Sequence, residues 1–223
     1  MSGIVRLRRL KRSKRGLRRT YVRGMSMLNP RQRTQVKRIM SLRQETKRFV
    51  NSVAMTSVLA TPAVQGSFSV ISQGTGQTAR VGSSIFMKRI RIRMTLQSAD
   101  IVNSLRVIIF QWRENSANLT PAPTDIITLS TNPWQSSYNY THHVAKNFHI
   151  CYDRTFSLST IGSPSVIDRM IDLYGKRLGS KHLVYEPATT AGTNQYYMLV
   201  VSDSVASPSP AIGTTWEFYY TDS

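Results

Sequence analysis

The chain of 223 residues has a single cysteine, no long apolar run, and almost no acidic residues in its first fifty positions. With only Cys151, an intrachain disulfide and a zinc site built from cysteines are both excluded. No apolar run approaches the roughly 18 residues of a membrane-spanning helix. The apolar segment of a secretory signal does not follow the basic start of the chain. We therefore expect neither a disulfide scaffold nor a protein that spans a membrane.

Positive charge is concentrated at one end of the chain. Residues 1–48, called the arm below, hold 17 Lys and Arg against one acid, Glu45, whereas residues 49–223 are nearly neutral. Such asymmetry indicates a polyanionic partner, either nucleic acid or an anionic membrane surface. A mitochondrial transit peptide shares the arginine-rich, acid-poor composition, but such peptides are usually serine-rich, and the arm has few serines.

The arm is predicted to have two parts. Residues 1–28 are highly charged and contain too few apolar residues to offset the entropy of ordering them, so we expect them to be disordered in the free protein. Asn29 and Pro30 then make a good N-cap and first helical residue. Apolar residues follow at helical spacing among basic ones, which predicts a basic helix over about residues 30–44. These apolar residues are Val36, Ile39 and Met40.

Residues 49–223 have the pattern of a β-rich domain. In FMKRIRIRMTLQ, Ile, Met and Leu alternate with Arg and Thr, which predicts a strand with one buried and one cationic face. LRVIIFQWR (105–113) is apolar at both parities, as expected of a strand covered on both sides. A short helix is predicted for SPSVIDRMIDL, with Ser163 as its cap and Pro164 at its first position. Further strand candidates are NFHICYDRTFSL (147–158), HLVYE (182–186), QYYMLVVSD (195–203) and TWEFYYT (215–221).

Many strands, irregular polar loops and few helices indicate an all-β sandwich or barrel. Pattern alone does not separate an immunoglobulin-like sandwich from a jelly roll, although the long and uneven spacing between strands favours the jelly roll.

Motifs for catalysis are weak. His149 and Cys151, at i and i+2 of a predicted strand, would share a face, but two side chains lining a sheet are a more ordinary explanation than a Cys–His nucleophile pair. Neither a G-x-S-x-G nor a P-loop motif occurs. Asp168 and Asp172 would lie on one side of the short helix, with Arg169 between them. We expect no enzyme, because a nuclease would need a carboxylate or histidine cluster that the sequence does not offer.

Tyrosine and tryptophan side chains can stack on bases, but most of those here fall in predicted strands, where half must face the core. The rest suit a protein interface as well as a base platform. The aromatic residues that could serve in either way are Tyr138, Tyr140, Tyr196, Tyr197, Tyr219, Tyr220, Trp112, Trp134 and Trp216.

A series of segments follows the order and spacing of one known family. The segments are ETKRF (45–49), QG (73–74), an R-x-G turn (80–82), IRIRMTL, LRVIIFQWREN, IDRMIDL (167–173), YYMLVVSDS (196–204) and EFYYTDS (217–223). From Glu45 to its end, the chain thereby resembles the coat protein of satellite tobacco necrosis virus and its relatives. These relatives include capsid proteins of small circular single-stranded DNA viruses.

The resemblance implies an all-β fold: a single eight-stranded antiparallel jelly roll over residues 49–223, carrying a basic, partly helical N-terminal arm. It also implies a T=1 icosahedral shell of about sixty copies, with the arms inside against a single-stranded genome. Sixty arms would supply on the order of a thousand positive charges, which suits a genome of roughly a thousand nucleotides. The implied location is the virion, and in the DNA-virus relatives such an arm also serves nuclear import.

The family also binds calcium between subunits. At one family site the ligands are acids at the positions of Glu45 and Asp222, and hard carboxylate oxygens suit Ca²⁺. The alternative is that Glu45 pairs with Lys47, Arg48 or a neighbouring arm. A second family site has acids where this chain has Thr75 and Ser83, so we do not expect that site here.

Our hypothesis from the sequence is a capsid subunit that packages single-stranded RNA or DNA without reading its sequence. Its partners would be copies of itself and the genome, with no membrane and no small-molecule substrate. The alternative is a basic-tailed RNA- or DNA-binding module, such as an organellar ribosomal or chromatin-like protein. The residues predicted to contact nucleic acid are basic side chains of the arm and of one strand: Arg6, Arg8, Arg9, Lys11, Arg12, Lys14, Arg15, Arg18, Arg19, Arg23, Arg31, Arg33, Lys37, Arg38, Arg89, Arg91 and Arg93.

Overall fold

The computed structural model describes residues 29–32, 45–139, 147–159, 161 and 166–222. The chain divides into two units, residues 1–45 and residues 46–223. No helix within the described ranges is long and apolar enough to cross a membrane.

The start of the predicted arm helix is present in the first unit. Residues 30–32 are helical, and the Asn29 amide donates a hydrogen bond to Oε1 of Gln32 (3.1 Å), an arrangement typical of helix N-termini. The rest of the predicted helix, residues 33–44, and the segment 1–28 lie outside the described residues.

The second unit consists of antiparallel strands in two sheets, which confirms the all-β prediction. One sheet has the order β1-β10-β3-β7-β8, with β6 also paired to β3, and the other has the order β2-β9-β4-β5. The strands are β1 (Lys47–Ser57), β2 (Ala63–Gln65), β3 (Ser84–Gln97), β4 (Val102–Trp112), β5 (Phe148–Ser159), β6 (Val166–Tyr174), β7 (His182–Tyr185), β8 (Gly192–Thr193), β9 (Gln195–Ser202) and β10 (Ala211–Asp222). A four-residue helix, α1 (Pro123–Ile126), and two 3-10 turns, Pro133–Gln135 and Gly175–Leu178, lie between strands.

The alternation in β3 has the predicted effect. Ile90, Ile92, Met94 and Leu96 are buried between the two sheets, because successive strand residues point to opposite faces and only the apolar set can leave water. On the same side of the sheet, the ring of Trp216 in β10 stacks on Phe68, with centroids 4.2 Å apart. The intervening arginines therefore occupy the solvent face of the six-stranded sheet.

β4 is covered on both faces, as its sequence predicts. Val107 and Ile109 belong to the core between the sheets, whereas Ile108 and Phe110 belong to a second apolar cluster. That second cluster includes Ile126 of α1, and Trp134 and Tyr138 pack against it. Residues 123–138, called the lid below, therefore cover part of the outer face of the four-stranded sheet.

An ion pair under this lid was not anticipated from the sequence. Arg106 on β4 donates two hydrogen bonds to the carboxylate of Asp153 on β5, at 3.0 and 2.7 Å, and a third to the carbonyl of Ser136. The Tyr138 hydroxyl donates to the same carboxylate, and the Arg106 guanidinium lies 5.6 Å from the centre of the Tyr138 ring. The four groups tie the lid segment to two strands.

Six predicted strands are confirmed, and one predicted helix is wrong. The strands are β3, β4, β5, β7, β9 and β10. The predicted helix SPSVIDRMIDL is instead β6 over Val166–Tyr174, while Ser163 and Pro164 lie outside the described residues. The spacing of its apolar residues fits both the 3.6-residue period of a helix and the two-residue period of a strand. The segment is a strand because nine of its residues pair with β3. β1, β2 and β8 were not predicted, because their residues are mixed in polarity.

Candidate nucleic-acid and cation sites

The solvent face of the six-stranded sheet carries the predicted basic strand. Strand register sets Arg89 between Tyr219 of β10 and Tyr174 of β6, and sets Arg91 between Glu217 of β10 and Asp172 of β6. Rows of side chains therefore run across the sheet, with basic and acidic residues on neighbouring strands. Cross-strand neighbours at this spacing interact directly.

Arg89 and Arg91 share one carboxylate. Arg89 donates to Asp172 at 3.0 and 2.6 Å, and Arg91 donates to it at 3.3 Å. The Arg89 hydrogen bond, followed by that of Arg91, lowers the pKa of Asp172, and the same contact raises the pKa of Arg89. Two of the three predicted phosphate-binding arginines of β3 thus already have an anionic partner within the chain.

A second ion pair lies one strand away. Arg48 on β1 contacts Glu217 at 3.1 Å, and the Tyr219 hydroxyl donates to the same carboxylate at 2.8 Å. The tyrosine hydrogen bond first, and Arg48 second, lower the pKa of Glu217 although partial burial acts in the opposite direction. Asp168 on β6 accepts a hydrogen bond from Thr95 at 2.7 Å. The face therefore has mixed charge rather than the cationic character that β3 alone indicated.

Arg93 is the exposed member of the three predicted phosphate-binding arginines on β3. It lies opposite Thr215 and Met170 and forms no ion pair with any residue in the described ranges. Arg31, in the short helical segment of the first unit, is also exposed. The other predicted nucleic-acid-binding residues lie outside the described residues: Arg6, Arg8, Arg9, Lys11, Arg12, Lys14, Arg15, Arg18, Arg19, Arg23, Arg33, Lys37 and Arg38.

The predicted calcium ligand Asp222 already contacts a cation. Lys47 Nζ lies 2.8 Å from Oδ2 of Asp222 and donates a second bond to the carbonyl of Ala79 at 2.9 Å. The Val81 amide donates to Oδ1 of Asp222 at 3.1 Å. Within the described residues, no group of three or more His, Cys, Asp or Glu side chains could hold a metal ion. Glu45, the other predicted ligand, is exposed at the end of the first unit.

The weak catalytic candidate does not form a nucleophile pair. Burial raises the pKa of Cys151 to about 12, and burial followed by the charge of Arg113 lowers the pKa of His149. The thiol of Cys151 contacts the backbone carbonyl of His149 (3.8 Å) rather than its ring. The raised pKa keeps the Cys151 thiol protonated at neutral pH, and the thiol is a far weaker nucleophile than the thiolate.

Among the aromatic residues weighed as base platforms, most are in the interior. Trp112, Trp216, Tyr196, Tyr197 and Tyr220 are buried. Tyr140 lies outside the described residues. Tyr174 of β6, an exposed tyrosine of the six-stranded sheet, was not among the aromatic candidates named from the sequence; it directly follows the segment predicted as a helix.

Comparison with known proteins agrees with the resemblance seen in the sequence. The sequence model described as satellite tobacco necrosis virus coat protein matches residues 23–223. One solved structure that the chain matches, from Desmodium yellow mottle tymovirus, is 10% identical and covers 80% of this chain and 88% of that one, with a TM-score of 0.38, too low to support an argument. No curated protein matches the chain. Because the family match spans nearly the whole chain, the protein belongs to the satellite tobacco necrosis virus coat protein family.

Proposed function

We propose that about sixty copies of this chain form a T=1 icosahedral shell that packages a single-stranded genome. The observation that carries the proposal is the separation of charge in a chain of the coat protein family. Residues 1–45 hold 15 Lys and Arg against one acid. The second unit (residues 46–223, called the β-unit below) has mixed charge and pairs four of its acids with its own Lys and Arg side chains. A polycation tethered to each subunit fits a polyanion enclosed by the subunits.

We also propose that the fold of the second unit, residues 46–223, is a jelly roll. The supporting observation is the nesting of strand pairs. β1 pairs with β10, β2 with β9, β3 with β6, and β4 with β5, so that eight strands form four nested antiparallel pairs divided between two sheets. The short strands β7 and β8 extend the first sheet beside β3 and are additions to this set.

In this proposal the arm neutralises most of the phosphate charge, and β3 contributes less than its sequence indicated. Arg89 and Arg91 would have to release Asp172 to bind phosphate, whereas Arg93 is exposed and needs no such exchange. Neutralisation by many arginines, without contacts to base edges, predicts packaging with strong salt dependence and little sequence preference.

Calcium at Glu45 and Asp222 remains a proposal with a specific requirement. Because Lys47 contacts Asp222, a calcium ion there must displace the ammonium group from Oδ2 or approach from the exposed side of the carboxylate. If calcium bridges subunits at this carboxylate, particles of an Asp222→Asn variant will respond less to a chelator than wild-type particles. Equal chelator sensitivity would place any calcium elsewhere.

The test of the main proposal is particle formation by the purified full-length chain, followed by microscopy, sedimentation and absorbance at 260 and 280 nm. Uniform particles with excess absorbance at 260 nm support a filled shell, and the extracted nucleic acid shows whether the genome is RNA or DNA. A chain lacking residues 1–28 should keep the β-unit folded and lose the nucleic acid. A monomer that never assembles, with or without calcium and polynucleotide, would instead support the tailed binding module.

We propose the virion as the location of the protein, with nuclear import through the arm in the infected cell. Fusion of residues 1–28 to a fluorescent reporter tests the import signal directly. A reporter that stays in the cytoplasm would contradict the proposed nuclear import, and the proposed shell assembly would still stand.

A further inference from the structure

Two edge strands of the six-stranded sheet, β1 and β6, differ in chemistry; the third edge strand is the two-residue β8. β1 pairs only with β10, and β6 pairs only with β3, among the strands that the structure describes. Each of these strands therefore presents one row of backbone N–H and C=O groups without a neighbouring strand in this part of the chain. Edges of this length are templates for pairing with another chain unless they are covered.

The solvent face of β6 alternates apolar and acidic side chains. Its apolar residues are large and unusually exposed: Val166 at 52%, Met170 at 62% and Tyr174 at 66%. Asp168 and Asp172 lie between them on the same face, because strand residues two apart point the same way. Three large apolar side chains in a row on one edge mark a surface that another protein covers.

The solvent face of β1 has the complementary character. Arg48 has 55% of its side chain exposed even though it contacts Glu217, and Val50 is 44% exposed on the same face. β1 thus offers a basic and an apolar side chain where β6 offers acidic and apolar ones. Opposite charges across an interface select partner and register.

The direction of the strands also fits. β1, β10, β3 and β6 alternate in direction across the sheet, since each pairing is antiparallel. β6 and β1 therefore run in opposite directions, and β1 of a second, similarly oriented copy would meet β6 as an antiparallel neighbour. A contact that joins one surface of a copy to a different surface of the next copy is heterologous. Such contacts close into a ring when the rotation between neighbouring copies is a simple fraction of a turn.

We propose that the β6 edge of one copy binds the β1 edge of the next, so that copies join head to tail through the six-stranded sheet. The inference rests on the proposed shell, but the contact surface that it assigns lies on β1 and β6 and does not depend on residues 1–45. Met170 would face Val50 of the neighbouring copy. Antiparallel pairing then sets Asp172 opposite Arg48 and Tyr174 opposite Thr46 of that copy.

Cross-linking of assembled full-length particles tests this pairing. A chain carrying both Val50→Cys and Met170→Cys is treated with a bis-maleimide shorter than the separation of these residues within one chain. Three strand spacings amount to roughly 14 Å, and Met170 is also two residues out of line with Val50, which is aligned with Asp172. A short linker therefore cannot join the two residues inside one chain. The native Cys151 is buried and does not compete.

The expected result is a ladder of covalent dimers, trimers and higher species from the double variant, whereas the chains with only one of the two substitutions remain monomers on a denaturing gel. Intact particles without a ladder would overturn the edge pairing and leave the shell proposal standing. Dimers from the Met170→Cys chain alone would also overturn it, because they require β6 to meet β6.

A charge variant provides a second measurement. Met170→Glu places a third acid between Asp168 and Asp172, and the contact would bury this charge without a partner. We expect the yield of particles to fall about ten-fold or more, while the chain keeps its circular dichroism spectrum. Val205→Glu is the matched control, since Val205 is an exposed apolar residue (85%) outside β1 and β6, between β9 and β10. Assembly of the Met170→Glu chain at the level of this control would refute the proposal.

Nucleic acid is the rival occupant of this face, through base stacking on Tyr174. It predicts no ladder from the double variant, together with a lower ratio of 260 to 280 nm absorbance in Tyr174→Ser particles. That combination would overturn the edge pairing and assign the face to the genome.

Discussion

Replacing Arg106 with methionine should cost the unassembled chain about 2–3 kcal/mol of unfolding free energy. Arg106 is almost fully buried and makes two hydrogen bonds to Asp153 and one to Ser136. Removing one member of a buried ion pair typically costs 3–5 kcal/mol, because the remaining charge is left without its partner. The Asp153 side chain is 23% exposed, and its access to water brings the expected cost down to about 2–3 kcal/mol.

Urea denaturation followed by tryptophan fluorescence measures this difference. With a slope of about 2–3 kcal/mol per molar, the midpoint should fall by roughly 1 M without a change in slope. Methionine keeps the apolar stem of the arginine, so the loss reports the charge and its hydrogen bonds rather than a cavity.

Arg93→Met is the matched control, because Arg93 is an exposed arginine on β3 and should lose no more than about 0.5 kcal/mol. A chain that also carries Asp153→Leu should be more stable than Arg106→Met alone, since no buried charge is left. If Arg106→Met and Arg93→Met have the same midpoint, the ion pair does not stabilise the lid, and the reasoning is wrong.

Three further predictions concern other parts of the β-unit. Gly192→Ala should lower the free energy of unfolding by about 1–3 kcal/mol, because a Cβ there would lie 1.9 Å from the carbonyl oxygen of Val184. Gly66→Ala should cost far less, since nothing lies within 4 Å of a Cβ at that position. Equal urea midpoints for the two variants would contradict this reasoning. The folded pKa of Glu217 is lowered by the tyrosine hydroxyl and the arginine beside it, so its contribution to stability is complete above about pH 4.3 and falls as the pH drops through the folded pKa. Urea midpoints measured from pH 6 down to pH 3 should therefore fall less steeply in Glu217→Gln, and identical slopes would refute the lowered pKa. Cys151 should react with a thiol reagent only after unfolding; rapid reaction at pH 8 in native chain would mean that the four-stranded sheet opens.

Much of the β-unit follows from local pattern. The alternation in β3 predicts its buried and solvent faces, because side-chain direction in a strand depends only on the parity of the position. The continuous apolar run of β4 likewise predicts burial on both sides, although not what covers the second side.

The candidate site is where local pattern is insufficient. From the sequence, Arg89 and Arg91 were predicted to be available for phosphate binding. Their partner Asp172 lies about eighty residues away, on a strand whose apolar spacing also fits a helix. Nothing in either segment specifies that they pair. Hydrogen bonding between β3 and β6 fixes both the strand and the ion pairs, and this pairing is a long-range property.

The sequence by itself determined the charge asymmetry of the chain, the β-rich character of its second unit and the family to which it belongs, because composition, period and the order of segments are properties of the linear chain. Only the tertiary structure decided which charges neutralise each other, that Lys47 contacts Asp222, and that β6 forms an acidic edge and β1 a basic edge of the six-stranded sheet. The physical reason is that electrostatic interactions and edges depend on distances in space, and strand pairing brings together residues that are far apart in the sequence.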